Sequence, residues 1–260
     1  MKISEFVSKI EARIPKAWAE KWDNTGLAFA NGDVEISRVA VALDATCDTI
    51  SKAVQKGCQL LFTHHPLLFR PLSELCEAVV PQKTLIFAVQ KNIALYSTHT
   101  NWDKSPEGVN VVLAKLLGLK NIARLEPDKN DGSFGIGAVG EFERAFDIRE
   151  IMQRVAQNWA CKNLTAFGAL DRKISRVAIG GGACGSMWQL ACDCGAELFI
   201  TADIAYNPRN DALDKGLSLI NCDHGEMERA SIPALCEVIR EETCVEVVQL
   251  EEEYVERIRY

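Results

Sequence analysis

Four histidines occur in this chain of 260 residues, and each stands in a short polar motif directly after an apolar, strand-like run. His64 and His65 close LLFTHHP, His99 closes IALYSTH with Asp103 four residues on, and His224 follows LSLINCD with Glu228 four residues on. Imidazole and carboxylate are the ligand types of borderline divalent metals, so a metal site is the first expectation. Neighbours on a regular strand face opposite ways, but His64 and His65 stand at a strand end where Pro66 keeps His65 extended. There each imidazole can serve a different ion, and two ions about 3.5 to 4 Å apart, bridged by a carboxylate, would use such a set well. A histidine at a strand end can equally cap a helix or bond a carbonyl, and His-His-Pro alone is a weak motif. Recurrence at all four positions, with two His-x-x-x-carboxylate units, favours ligation.

The elements that must position these residues alternate between strand and helix, which predicts an α/β protein. The runs ISRVAVALDA, QLLFTH and NIALYST read as strands, with helices beginning near Cys47 and Gln82. A polar, glycine-containing turn (DKNDGSFGIG) follows Pro127, then a helix near Ile148 to Trp159. Strands recur at ISRVAIG, ELFITA and LSLINC, and a long helix is expected from about His224 to Glu241.

The order repeats because the sequence repeats. Residues 36–65 align with 174–203 without a gap, with ten of thirty positions identical: ISRVA recurs, followed by matches at Ala45, Ala53, Gly57, Leu60 and Thr63. An internal duplication of a strand-helix-strand unit follows, each helix closed by a glycine in the left-handed conformation. Two α/β halves of similar topology, mixed sheets covered by helices, are therefore expected over residues 1–126 and 127–260. Laying YSTHTNWD on NCDHGEME pairs His99 with His224 and Asp103 with Glu228, whereas His64 and His65 meet Ala202 and Asp203. Any site is thus asymmetric.

The formal net charge of -7 argues against a protein that coats nucleic acid or an anionic membrane, since both need a dense basic surface. MKISEFVSKIEARIP has helical spacing rather than the apolar block of a signal peptide, and no stretch approaches the roughly 20 apolar residues that span a bilayer. A cytoplasmic location is expected. Most of the ten cysteines, Cys58, Cys161, Cys236 and Cys244 among them, lie in apolar patterns and read as buried thiols; Cys192-x-Cys194 is a weak zinc signal.

At WDNTGL (22–27), VALDAT (41–46), FTHHPLLF (62–69), YSTHTNWD (96–103), TADIAY (201–206) and HGEMER (224–229) the chain resembles the GTP cyclohydrolase I type 2 family, also called the NGG-one-interacting-factor-three-like family, in a short form without the large central insertion. The resemblance implies that two α/β halves are intertwined, and it implies a toroidal homohexamer with dinuclear metal sites. It further implies that His65 and Asp103 hold one ion, His64 and His224 the other, and that Glu228 bridges both, with His99 beside the metals or facing substrate. Zinc, iron, manganese, nickel and cobalt all suit such a donor set. Three positions depart from the family pattern: Asn207 for a histidine, Asp223 for a glycine and Trp102 for a leucine.

The reaction the family name implies is hydrolysis of GTP to formate and dihydroneopterin triphosphate, with His99 or Glu228 as proton carrier. A hydrolase of another nucleotide or phosphoester, and a metal-binding or regulatory protein without catalysis, need the same donors. No Walker-type loop accompanies them. IGGGACG (179–185) reads either as a phosphate cradle or as a tight turn, and Arg70, Lys104 and Arg229 are cations near the ligand motifs.

Overall fold

The computed structural model describes residues 1–252, and these form two compact units. The first comprises Met1–Trp102 together with the described chain from Ile232 onward; the second is Asp103–Ser231. The break between them lies at Trp102/Asp103, and the C-terminal segment belongs to the first unit.

In Met1–Trp102 the order is α1 (Ile3–Arg13), β1 (Gly26–Phe29), β2 (Arg38–Ala42), α2 (Cys47–Gln55), β3 (Leu60–Thr63), α3 (Val80–Lys91) and β4 (Ala94–Ser97), after which α4 (Thr100–Lys104) runs across the break. The connections between β2, β3 and β4 are long crossovers that carry α2 and α3, so the strands can pair in parallel, and the near-continuous apolar runs LLF and VAVA are what a strand covered on both faces requires. Thr46 starts α2 with a capping box, its side chain accepting from the Thr49 amide at 3.0 Å.

The second unit holds α5 (Val109–Leu117), β5 (Lys120–Ala123), a ribbon of β6 (Glu126–Pro127) and β7 (Gly135–Ile136), β8 (Ala138–Asp147), α6 (Ile148–Asn158), β9 (Leu164–Phe167) and β10 (Lys173–Gly180). It continues through α7 (Trp188–Asp193), β11 (Leu198–Ala202), α8 (Tyr206–Asp214), β12 (Ser218–Cys222) and α9 (His224–Arg229). Its six-stranded sheet runs β5-β8-β10-β11-β12-β9, parallel through β10, β11 and β12 and antiparallel elsewhere.

The chain then returns with α10 (Ile232–Glu242) and β13 (Glu246–Gln249), which pairs in parallel with β2 and completes a sheet of order β1-β4-β3-β2-β13. The single helix expected from His224 to Glu241 is thus two. In a continuous helix the Pro233 ring would strike the carbonyl of Arg229. The chain breaks instead at Ala230–Ser231, where Ser231 donates its amide and hydroxyl to the Glu228 carbonyl at 2.9 and 2.8 Å.

The duplication survives in three dimensions. β2 pairs with β3 as Val39↔Leu60 through Ala42↔Thr63, and β10 with β11 as Val177↔Leu198 through Gly180↔Thr201, the same register displaced by the repeat. Gly57 (φ 71°) and Gly195 (φ 75°) close the two equivalent helices in the left-handed region, as the repeat predicted. Replacing Leu61, which has no exposed surface, by alanine is expected to cost about 3 kcal/mol of stability in urea unfolding with the far-UV spectrum unchanged.

Candidate metal centre

In the first unit the parallel register Thr63↔Ser97 aligns the ends of β3 and β4, so the residues that follow them emerge side by side. His64, His65 and His99 are brought together there: ring centroids are 4.9 Å apart for His64–His65, 5.3 Å for His64–His99 and 5.6 Å for His65–His99. One ring nitrogen from each lies within 4.8 Å of the others.

In the second unit the register Ala202↔Cys222 aligns the ends of β11 and β12 in the same way, and delivers Asp203 beside His224. His224 opens α9, and Glu228, one turn on, meets it with Oε2 3.1 Å from Nε2. Asp103, carried on α4, is buried, as is Glu228. Asn110 ties this unit's donors to the glycine run: its Nδ2 donates to the Asp103 carbonyl at 3.0 Å and its Oδ1 accepts from the Gly181 amide at 2.7 Å.

One rule governs all four imidazoles. Each Nδ1 faces an oxygen: His64 the Thr98 carbonyl at 3.0 Å, His65 Asp44 at 2.8 Å, His99 Asp23 at 2.9 Å and His224 Asp203 at 2.7 Å. A carbonyl or an ionised carboxylate only accepts, so Nδ1 carries a hydrogen, and in the neutral ring Nε2 is then the lone-pair nitrogen. An oxygen behind the imidazole is how metal-binding histidines are commonly held, since it fixes the tautomer and raises the basicity of the donor nitrogen. At His224 the consequence is sharper. With Nδ1–H given to Asp203, Nε2 and the Glu228 carboxylate present lone pairs to each other at 3.1 Å, which requires a proton or a cation between them. The donor set therefore fits a divalent metal.

Asp23, Asp44 and Asp203 have no assigned role in the sequence reading, although each sits in a family-like motif there: WDNTGL, VALDAT and TADIAY. Asp203 was visible in one further respect, since the repeat places it on His65. The equivalent position carries an imidazole in one unit and the carboxylate that orients an imidazole in the other.

Burial by itself would raise the Asp23 carboxyl, but hydrogen bonds from His99 and Thr100 outweigh it and bring the group down to about 2. Burial likewise drives the Cys184 thiol upward, and the nearby Asp103 and Glu228 carboxylates add to the effect.

IGGGACG is a tight turn. Two of its amides are committed within the protein, Gly181 to Asn110 Oδ1 and Cys184 to the Gly182 carbonyl at 2.9 Å. A Cβ at Gly181 would strike Val109, one at Gly185 would strike Ile204, and one at Gly182 (φ 69°) would run into the Glu228 carboxylate. Gly182 thus makes room for a candidate ligand. Of the residues that depart from the family pattern, Asp223 is the cap of α9, accepting from the Glu226 amide at 3.0 Å, and Trp102 is completely buried. Asn207 is exposed on α8. Arg70 is exposed and Lys104 and Arg229 are half-buried. Cys58, Cys161 and Cys236 are buried free thiols, whereas Cys244 is exposed in the bend between α10 and β13.

The profile of Duf34/NIF3 (NGG1p interacting factor 3) matches residues 1–254. The chain belongs to the DUF34/NIF3 family. A protein of Clostridium perfringens named GTP cyclohydrolase 1 type 2 homolog is 31% identical over 93% of this chain and 92% of its own length. A Lactococcus lactis protein of the same name is 33% identical over 92% of each. The crystal structure of a Bacillus cereus protein related to NIF3 superposes with a TM-score of 0.94 over 100% of this chain and 99% of that one, at 20% identity, which establishes the shared mixed α/β fold. No helix among the described residues is long and apolar enough to cross a membrane.

Two outcomes are expected of this DUF34/NIF3 protein. Gly182→Ala should weaken metal binding by about tenfold or more in a titration against a competing chelator, because it displaces a ligand rather than removing one. Asp23 has a folded-state pKa below its ordinary 3.8, so its contribution is present above about pH 4 and lost as the pH falls through about 2. Asp23→Asn should therefore lower stability by about 2 kcal/mol at neutral pH, and the gap from the wild type should close between about pH 4 and 2 in acid-unfolding curves.

Proposed function

We propose that this protein is a metal-dependent hydrolase, that His64, His65, Asp103, His224 and Glu228 hold two divalent ions with Glu228 shared, and that GTP is its substrate. The observation that carries the reading is the common orientation of the imidazoles, every Nδ1 backed by an oxygen. Ions in such a site would supply Lewis acidity and bring a water molecule toward ionisation at neutral pH. The protein's own part is positioning and proton transfer. His99 Nε2 is available to take a proton, and Asp23 behind Nδ1 would stabilise the resulting imidazolium. Asp44 and Asp203 hold the donor rings of His65 and His224 still. The relatives' printed names support GTP as substrate. The reaction we propose with it is hydrolytic release of formate and formation of dihydroneopterin triphosphate. A cytoplasmic, toroidal homohexamer goes with the same reading.

Elemental analysis of protein purified without added metal should find about two ions per subunit, with at least one lost in Glu228→Ala and in His65→Ala. Unchanged content in both variants would sink the ligand assignment. Metal-replete protein incubated with GTP should release formate and a fluorescent pterin, and turnover no greater than that of Glu228→Ala would remove GTP hydrolysis.

A further inference from the structure

Two aromatic side chains of the first unit stand in solvent, where most of their kind are buried: Trp22 is 63% exposed and Phe69 49%. They come from different loops, one before β1 and one after the His64–His65 pair. Both border the same imidazole. Trp22 meets His99 at a centroid distance of 6.0 Å and 74°, and Phe69 meets it at 5.6 Å and 81°, so each ring stands nearly perpendicular to the imidazole.

Neither loop is loosely held. Asp23 binds His99 with one carboxylate oxygen and accepts from the Thr100 amide (3.0 Å) and hydroxyl (2.5 Å) with the other. Asn24 then ties the first loop to the second, its Nδ2 donating to the Leu68 carbonyl at 2.6 Å. Trp22 and Phe69 are therefore neighbours of firmly bonded residues and are held out of the core beside the donor cluster.

We infer that Trp22 and Phe69 bind a planar nitrogen heteroaromatic ring, such as a purine base, by stacking beside His99. Aromatic faces attract such rings irrespective of charge, which suits a chain of net charge -7 that must receive an anionic nucleotide next to carboxylates. His99 Nε2, left as an acceptor by the Asp23 bond, suits a ring that carries N–H donors. Stacking is tolerant of base identity, so this subsite selects a planar ring as a class. That the bound ring belongs to a substrate rests on the hydrolase reading; that it binds does not.

The test is calorimetric binding of GTP and of inorganic tripolyphosphate to the purified full-length protein. Trp22→Ala and Phe69→Ala should each weaken GTP binding by about tenfold, and Trp22→Phe should restore most of it, while tripolyphosphate affinity, metal content and sedimentation mass stay those of the wild type. Unchanged GTP affinity in both alanine variants overturns the inference, as does a wild type that binds no GTP. An equal loss for tripolyphosphate, or dissociation of an assembly by Trp22→Ala, overturns it too, since either would give the rings another task. Ring-dependent GTP binding without formate release would uphold it and remove only the proposed reaction.

Discussion

Nearly everything this protein could do with a metal depends on one hydrogen bond, repeated four times: Nδ1–H of an imidazole given to an oxygen behind it. Without that bond a histidine is a flexible ring of two interchangeable nitrogens. With it, one nitrogen is committed, the tautomer is set and the other lone pair is aimed. The oxygens come from a strand end (Thr98), from residues just past strands (Asp44, Asp203) and from an N-terminal loop (Asp23), so the orientation of the donors is built into the sheets themselves.

Parallel strand pairing is what makes this possible. In a parallel pair the ends of adjacent strands point the same way, and whatever follows them is delivered to one edge. β3 beside β4 delivers three imidazoles; β11 beside β12 delivers an aspartate and an imidazole. The duplication supplied the scaffold twice in the same register and then diverged at its end, where His65 in one copy answers to Asp203 in the other. Gly182 shows the same division of labour, since it stands where the first copy has Asp44: one copy uses the position for an orienting carboxylate, the other leaves it bare so that Glu228 can approach.

Much of the fold was legible from residue patterns because the central strands are buried on both faces and read as short apolar runs bounded by turns. The strands β1, β5, β8, β9 and β13 were not, since strands partly in solvent carry mixed residues: GLAF, KNIA, AVGEFERAFD, LTAF and EVVQ have no consistent alternation. The break between α9 and α10 was written in Pro233 but masked by the apolar periodicity around it. The units divide at Trp102/Asp103 because compactness follows contacts made by the returning C-terminal strand, which pairs with β2 about two hundred positions earlier in the chain.

The sequence by itself determined the candidate donors, their family, the α/β class and the duplication, because these are properties of residue type and spacing. Only the tertiary structure decided which nitrogen of each imidazole is a donor, which glycine clears space for Glu228 and which aromatic rings stand beside His99. Those outcomes depend on pairs such as Asp23 and His99, 76 residues apart, or Asp203 and His224, 21 apart, and a contact made by folding leaves no trace in local periodicity.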